Sequence, residues 1–232
     1  MGPLASLALA PVLICAFYMY IRDKYEREPV RLLLLGLLFG AIITFPIIHT
    51  ENLLAIYTPN SGIIAEAFYD SFAVAALTEE AFKFVLLFCL VWRNDNFNER
   101  FDGIVYAVFI SLGFAGLENY LYVFDPVMGG AGTAFGRAFF SVPGHALFGV
   151  AMGYYFALSK FERNNRVRLT ILAFLVPFLL HGTYDFILLS NRPYTMLIFI
   201  PFVVLLWVMG LLKMKRHLQA SPFKHKTNPT QE

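Results

Sequence analysis

The chain has 232 residues, of which 58% are hydrophobic and 15% charged, with a mean hydropathy of +0.62 and a formal net charge of +2. Because soluble domains carry about 25% charged and about 45–50% apolar residues, this composition excludes an ordinary soluble domain and indicates a membrane protein. The small net charge gives no reason to expect a nucleic-acid partner. The two cysteines, Cys15 and Cys89, lie in apolar runs and suit neither a disulfide framework nor a CxxC metal site.

Seven apolar runs follow one another, and each is long enough to cross a bilayer as a helix. They cover residues 3–21, 31–56, 62–92, 101–124, 134–160, 167–190 and 194–212. The sequence therefore predicts an all-α, polytopic membrane helix bundle with about seven crossings. One transmembrane domain would cover residues 1–212, and a basic tail would cover 213–232. The third run is long for one crossing, so its polar first part could form an eighth element at the membrane interface.

The basic residues predict how the bundle is oriented. Fifteen of the 18 Lys and Arg residues lie in the loops 22–31, 93–100 and 160–168 or in the tail, whereas Arg137 and Arg192 lie on the other side and Lys83 lies inside a helix. Loops rich in Lys and Arg stay in the cytoplasm during insertion. We therefore predict a multi-pass protein of the plasma membrane with its amino terminus outside and its carboxyl terminus in the cytoplasm.

Seven ionisable side chains lie inside the apolar runs, where contact with lipid would be unfavourable. A central Asp or Lys costs about 2.5–3.5 kcal/mol even on a lenient insertion scale. With about 1.5 Å of rise per residue, the acidic and imidazole groups all lie about 18–25 Å from the cytoplasmic helix ends. We therefore expect four helices to share one polar cavity in the outer half of the bilayer. The seven residues are Glu79, Glu80, Lys83, Glu118, His145, His181 and Asp185.

Spacing along each helix predicts partners within this set, because residues three or four apart share a helix face. Glu79 and Glu80 can each reach Lys83, and Asp185 can hold one nitrogen of the His181 ring. Two polar residues receive other roles: Asn119, beside Glu118, is expected to support the site, and Asp102 is expected to cap a helix. The acidic and histidine residues Glu51, Glu66, Asp70 and His49 are expected to line a solvated mouth.

Five motifs occur in order on successive helices: TEEAFK at 78–83, RFDG at 100–103, GFA at 113–115 before Glu118 and Asn119, PGH at 143–145 and HGTYD at 181–185. This ordered set resembles the PrsW family of intramembrane proteases and, more distantly, the type II CAAX prenyl endopeptidases. The CAAX pattern has His where this chain has Glu118 and Asn where it has Asp185. These two differences favour PrsW over CAAX processing.

The resemblance implies a membrane-embedded endopeptidase that cleaves membrane-anchored, single-span proteins, with anti-sigma factors as the best-known, site-1 type of substrate. The catalytic core would then lie at 62–190, within the lipid bilayer. The oligomeric state is left open. The candidate catalytic residues are Glu79, Glu80, Glu118, His145, His181 and Asp185, with Lys83 and Asn119 in supporting positions.

Two mechanisms fit these residues, and the sequence permits both. Without a metal, Glu79 or Glu80 would take a proton from water while a histidine stabilises the oxyanion. With Zn²⁺, Glu118, His145 and His181 would form a His₂Glu site with an open position, and Glu79 or Glu80 would be the base. The chain has no HExxH motif, so separate helices would have to assemble such a site.

Other functions would use similar residues. A CAAX-type prenyl endopeptidase is one alternative, a proton- or ion-coupled transporter is another, and a non-catalytic scaffold would leave the clustered acids unexplained. Catalysis predicts carboxylate and imidazole groups within about one water of each other. A transporter predicts a polar path through both leaflets.

Overall fold

The computed structural model describes residues 2–224, and within this range the chain forms helices and no strands. From the amino end the α-helices are α1 (Gly2–Arg22), α2 (Val30–Ile42), α3 (Thr44–Ala55), α4 (Ile63–Tyr69), α5 (Leu77–Val91), α6 (Arg100–Val123), α7 (Ala131–Gly136), α8 (Val142–Phe161), α9 (Arg166–Leu189) and α10 (Thr195–Gln219). Two π-helical segments, Asp70–Ala76 and Arg137–Ser141, join α4 to α5 and α7 to α8, and a 3₁₀ turn, Arg163–Asn165, precedes α9.

These helices form seven continuous segments that correspond to the seven predicted runs. The third run, where an eighth element was considered, is one segment in which α4 and α5 continue through the π-helical residues. Five helices in the described range are long and apolar enough to cross a membrane: Gly2–Arg22, Val30–Ala55, Arg100–Val123, Arg163–Leu189 and Thr195–Gln219. The predicted all-α membrane fold is therefore confirmed, while the exact number of crossings and the orientation stay predictions.

Helix α6 lies at the centre of the bundle, and every residue from 101 to 116 is buried. Small residues allow the neighbouring helices to approach it closely, as is common in membrane bundles. A Cβ atom added to Gly113 would collide with the backbone of Leu37 in α2, and one added to Gly153 of α8 would collide with the backbone of Gly103. Backbone contacts at these glycines thus set the positions of α2 and α8, which carry or support the site.

We expect Gly113→Ala to destabilise the protein, because the added methyl group meets main-chain atoms that no side-chain rotation can move. Overpacking of this kind costs about 1–3 kcal/mol. Thermal unfolding in detergent would measure the effect. Gly132→Ala is the matched control, because an added Cβ there has no neighbour within 4 Å. Equal unfolding temperatures for the two variants would contradict this packing.

The loops rich in Lys and Arg meet at one end of the bundle, which we call the basic end. Lys160 donates to the Trp92 carbonyl oxygen at 3.2 Å, and Arg100 pairs with Glu162 at 3.2 Å. Helix α10 also reaches this end, where His217 Nδ1 lies 2.9 Å from the Arg100 carbonyl oxygen. The polar cavity described below lies toward the opposite helix ends.

Helix α10 continues to Gln219, beyond the predicted domain boundary at 212. Met214 and Leu218 extend its apolar face into the core, so the helix persists although Lys213, Lys215 and Arg216 are basic. The first part of the predicted basic tail is therefore helical. The rest of that tail, from 225 onward, lies outside the described residues.

Two loop carboxyl groups at the basic end are buried. Asp23 is 1% exposed and Glu28 is 2% exposed. Burial away from water raises the pKa of each group to about 7, against opposing hydrogen bonds from the Glu28 N–H to Asp23 and from the Tyr106 hydroxyl to Glu28. The connection between α1 and α2 therefore folds onto α6 rather than lying free in water.

Candidate active site

A buried lysine lies between two glutamates on one face of α5. Lys83 Nζ lies 2.8 Å from Glu79 Oε2 and 2.9 Å from Glu80 Oε1, and all three residues are at most 4% exposed. The i, i+3 and i, i+4 spacing produces this arrangement. The ammonium group also lies 4.1 Å from the centre of the Phe114 ring. One cation thus compensates two carboxylates in an apolar surrounding.

The two histidines, from α8 and α9, turn one ring nitrogen each toward these glutamates. His181 Nδ1 lies 3.0 Å from Glu80 Oε1 and 3.9 Å from Glu79 Oε2. His145 Nδ1 lies 3.8 Å from Glu79 Oε2 and 3.4 Å from Lys83 Nζ. The two imidazole rings are perpendicular, with centroids 5.3 Å apart. Carboxylate and imidazole groups from three helices therefore meet within the distance that catalysis requires.

The other ring nitrogen of each histidine meets a carboxylate outside this centre. His181 Nε2 lies 3.1 Å from Asp185 Oδ2, as the spacing of four residues predicts. His145 Nε2 lies 3.1 Å from Glu118 Oε2 on α6. A carboxylate at the outer nitrogen fixes the ring orientation of a ligating or catalytic histidine. Asp185 is therefore placed to orient the His181 ring, and Glu118 is placed in the same way to orient the His145 ring.

Arg137, which the sequence analysis did not include in the site, holds Glu118 in place. Its Nη2 lies 2.5 Å from Glu118 Oε2, and its Nε donates to Asn119 Oδ1 at 2.9 Å. Asn119 in turn donates to the Ala8 carbonyl oxygen at 2.6 Å and so connects α1 to the site. The only signal in the sequence was that Arg137 is one of two basic residues on the side opposite the basic loops.

The residues that could hold a metal differ from the predicted set. Glu79, Glu80, His145 and His181 each offer a ligand atom, and these atoms lie within 4.8 Å of one another. Glu118, which the sequence analysis placed in the His₂Glu set, is not in this group. The reason is that its carboxylate lies at the outer nitrogen of His145 and pairs with Arg137.

The donor atoms in this group suit a divalent metal. Two imidazoles and two carboxylates are ligands that Zn²⁺ accepts. Glu80 is fully buried, and its Oε2 atom has no hydrogen-bond partner among residues 2–224. An orphaned buried carboxylate oxygen is costly unless a cation or proton satisfies it. We conclude that the residues fit a metal ion beside the Lys83 ammonium group.

A cavity of about 680 Å³ opens onto this group. Its size lies within the range of about 300–1,000 Å³ that is common for ligand pockets. Apolar side chains such as Phe114, Phe148 and Tyr184 form much of its wall, and Glu79 lines it whereas Glu80 does not. Glu51, which we expected at a solvated mouth, also lines the cavity.

The predicted site residues thus occupy one place in the fold. Five of the six candidate catalytic residues line the cavity: Glu79, Glu118, His145, His181 and Asp185. The sixth, Glu80, contacts His181. A buried carboxylate and imidazole group beside a cavity has the proton acceptors and donors that hydrolysis requires, so the site fits the class of intramembrane hydrolases.

Comparisons with known proteins identify the family. The model of the PrsW family of intramembrane metalloproteases matches residues 28–209. Proteins named Protease PrsW are similar over most of the chain: that of Oceanobacillus iheyensis is 40% identical over 211 residues (91% of this chain and 94% of the relative) and that of Bacillus subtilis is 40% identical over 219 residues (93% and 96%). That of Clostridioides difficile is 38% identical over 218 residues (93% and 91%).

The chain therefore belongs to the PrsW family of intramembrane metalloproteases. It is a membrane-embedded protease and a multi-pass membrane protein, as the motifs predicted. No solved structure matches the chain significantly.

Proposed function

We propose that this protease hydrolyses peptide bonds of membrane-anchored, single-span proteins in the described cavity, with a glutamate that activates water. The observation that carries the proposal is the position of Glu79. Its carboxylate lines the cavity and lies within 3.9 Å of both inward histidine nitrogens. A base must lie within hydrogen-bond reach of the water it activates, directly or through one further water.

The two glutamates take different roles in this proposal. Glu79, which lines the cavity, accepts the proton of the attacking water and later returns it to the leaving amine. Glu80 is fully buried and contacts His181, so it is a candidate metal ligand or a positioning residue. Lys83 compensates the negative charge of both carboxylates in this apolar place, because its ammonium group lies within 2.9 Å of each.

We propose that Glu80, His145 and His181 hold Zn²⁺, with Glu118 and Asp185 orienting the two imidazole rings from their outer nitrogens. When bound, the metal would supply Lewis-acid polarisation of the scissile carbonyl group. The metal-free mechanism, in which an imidazole stabilises the oxyanion, remains the competing proposal.

Metal analysis distinguishes these two mechanisms. We expect the purified protein to contain about one Zn²⁺ per chain, as a single catalytic site requires, and His181→Gln to contain much less because one ligand is lost. Removal of the metal by a chelator should abolish cleavage, and addition of Zn²⁺ should restore it. Full activity in a metal-free preparation would support the metal-free mechanism and contradict the zinc site.

A transporter function is less favoured by the packing below the site. Between the level of Lys83 and the basic end, buried apolar side chains such as Leu87, Val91 and Phe156 fill the space between the helices. An ion path would need polar groups or water through this region. A cavity that opens at one end and closes on a carboxylate and imidazole group suits hydrolysis better.

For the substrate, we propose the class that the resemblance implies, which is membrane-anchored regulators such as anti-sigma factors. The cavity lies near the helix ends opposite the basic end, which in the predicted orientation is the outer half of the bilayer. A substrate cleaved there would lose an outer segment before any further processing. This position fits the first cut in regulated proteolysis.

The proposed function can be tested with purified protein in nanodiscs that also contain a single-span substrate. We expect two fragments, identified by mass spectrometry, from the wild type. His181→Gln should abolish cleavage, whereas His49→Gln, at an exposed position outside the cavity, should not. Absence of fragments from the wild type across a set of single-span substrates, or equal cleavage by both variants, would contradict the proposal.

A further inference from the structure

A partly buried arginine at the wall of the cavity is held by three side chains of α6. Arg137 begins the π-helical segment Arg137–Ser141 and lines the cavity. Its guanidinium group pairs with Glu118, donates to Asn119 and lies 4.1 Å from the centre of the Tyr122 ring. Residues three or four apart share a helix face, so Tyr122 lies on the same face as the two polar residues. The position of the guanidinium group is therefore fixed by several contacts at once.

One oxygen of Glu118 contacts both Arg137 and His145. This atom, Oε2, lies 2.5 Å from Arg137 Nη2 and 3.1 Å from His145 Nε2. A guanidinium group can only donate hydrogen bonds, so the oxygen that it contacts is an acceptor. The nitrogen of His145 beside the same oxygen is then a donor. This contact assigns the ring N–H of His145 to Nε2, the outer nitrogen.

The inner side of the His145 ring leads to the same assignment. Its Nδ1 atom lies 3.4 Å from Lys83 Nζ, and an ammonium group also only donates. Nδ1 is therefore an acceptor, and its lone pair points toward Lys83 and Glu79. The partners on both sides of the ring thus agree on one tautomer, which has its N–H at the outer nitrogen and its lone pair at the centre of the site.

The other histidine of the site lacks an arginine behind its outer carboxylate. His181 Nε2 lies 3.1 Å from Asp185 Oδ2, and no arginine among residues 2–224 forms an ion pair with Asp185. The Asp185 side chain is also more exposed than that of Glu118, at 24% compared with 16%. Arg137 therefore acts on only one of the two histidines, so His181 provides an internal comparison.

We propose that Arg137 is a positioning residue of this protease. It holds the Glu118 carboxylate at the outer nitrogen of His145, and in this way it keeps the Nδ1 lone pair of the ring directed at the centre. Without Arg137, the Glu118 carboxylate would be free to turn toward the cavity and the ring to adopt the other tautomer. Loss of such an outer partner lowers metal affinity or activity about 10–100-fold. The inference rests on the proposed role of His145.

NMR of isotope-labelled histidine rings would test the assignment without substrate and without metal. The nitrogen shifts distinguish a ring nitrogen that carries a proton from one that does not, and His145→Gln identifies the signals of His145. In the metal-free wild type, we expect a proton at Nε2 of His145 and none at Nδ1. Arg137→Met removes the charge and every donor, so we expect the second tautomer to appear in this variant. The protonation pattern of His181 should stay the same.

Cleavage of a single-span substrate provides the second measurement. Arg137→Met should lower kcat about 10–100-fold, the range for an outer partner, and leave KM nearly unchanged because Arg137 acts through His145 rather than on the substrate. Arg137→Lys keeps a cation but not the planar fork, so it should retain more of kcat. The control is Arg192→Met, which changes an exposed arginine outside the cavity and should retain wild-type kcat.

Two results would overturn the proposal. One is a proton at Nδ1 of His145 in the metal-free wild type, a result that does not depend on whether any variant folds. The other is an undiminished effect of Arg137→Met on kcat in a Glu118→Ala background, because a residue that acts through Glu118 should have little further effect there. A wild type that cleaves no single-span substrate would contradict the proposed function instead, and the ring measurement would still decide the role of Arg137.

Discussion

Replacing Glu79 by glutamine is expected to lower kcat for peptide cleavage by about 10²–10⁴-fold, the range for loss of a general base. Glutamine keeps the shape of the side chain but cannot accept a proton. The carboxylate of Glu79 lines the cavity and lies near both histidines, so no other carboxylate in the group is placed as well to meet water and substrate together. Initial rates with a reconstituted single-span substrate would measure the effect.

Two further variants make this result specific. Glu66→Gln makes the same change in α4 outside the cavity and should retain wild-type kcat. Glu80→Gln should also be inactive but should in addition lose bound metal, whereas Glu79→Gln should keep it. Wild-type kcat in Glu79→Gln would exclude this residue as the base.

Replacing Lys83 by methionine is expected to destabilise the protein by about 3–5 kcal/mol, the cost of removing one partner from a buried ion pair. The change leaves two carboxylates, Glu79 and Glu80, without the ammonium group that lies within 2.9 Å of both. Cleavage should be lost as well, because the Glu79 carboxylate loses the ammonium group that holds it in position at 2.8 Å. Thermal unfolding in detergent, followed by circular dichroism, would measure stability.

Lys215→Met is the control for this substitution, because Lys215 is exposed on α10 and its loss should change stability little. The double variant Lys83→Met with Glu80→Gln should recover part of the lost stability, since it removes one of the two unpaired charges. The contrary result would be additive losses of stability. In that case the double variant would be less stable than Lys83→Met by as much as Glu80→Gln alone destabilises the wild type, and the ion pair would not stabilise the fold.

The sequence was sufficient to predict that the site residues meet. An ionisable residue in an apolar helix needs a polar partner. Glu80, Glu118 and His181 lie at one depth on different helices, so contact among them was the expected way to provide these partners. The spacing of His181 and Asp185 also predicted their contact correctly. The close approach of helices at Gly113 and Gly153 likewise follows from the small residues on these membrane helices.

The sequence was not sufficient to predict which atom of each residue faces the centre. That depends on helix rotation, and the π-helical segments before α5 and α8 change the rotation of Glu79 and His145 relative to an uninterrupted α-helix. Arg137 lies in one of these segments and reaches Glu118 across the bundle. This long-range pairing places the Glu118 carboxylate at the outer nitrogen of His145, outside the group of four residues whose ligand atoms lie close together.

The burial of the loop carboxyl groups Asp23 and Glu28 was not predicted, for a different reason. Asp102 does accept hydrogen bonds at the start of α6, as predicted for a cap. Acidic residues in loops such as Asp23 and Glu28 usually lie in water, so their positions in the sequence gave no sign of burial. Their burial results from the fold of the loop onto α6.

We propose that the substrate is cut at the buried group of Glu79, Glu80, His145 and His181. Site-specific photo-crosslinking would locate the cut: a diazirine amino acid is placed beside the scissile bond of a single-span substrate, which is then combined with the inactive Glu79→Gln variant. We predict that the crosslinked peptides map to the cavity wall, at residues such as Val74, Phe148 and Tyr184. Crosslinks that map instead to the basic end, around Arg163–Asn165, would contradict this account.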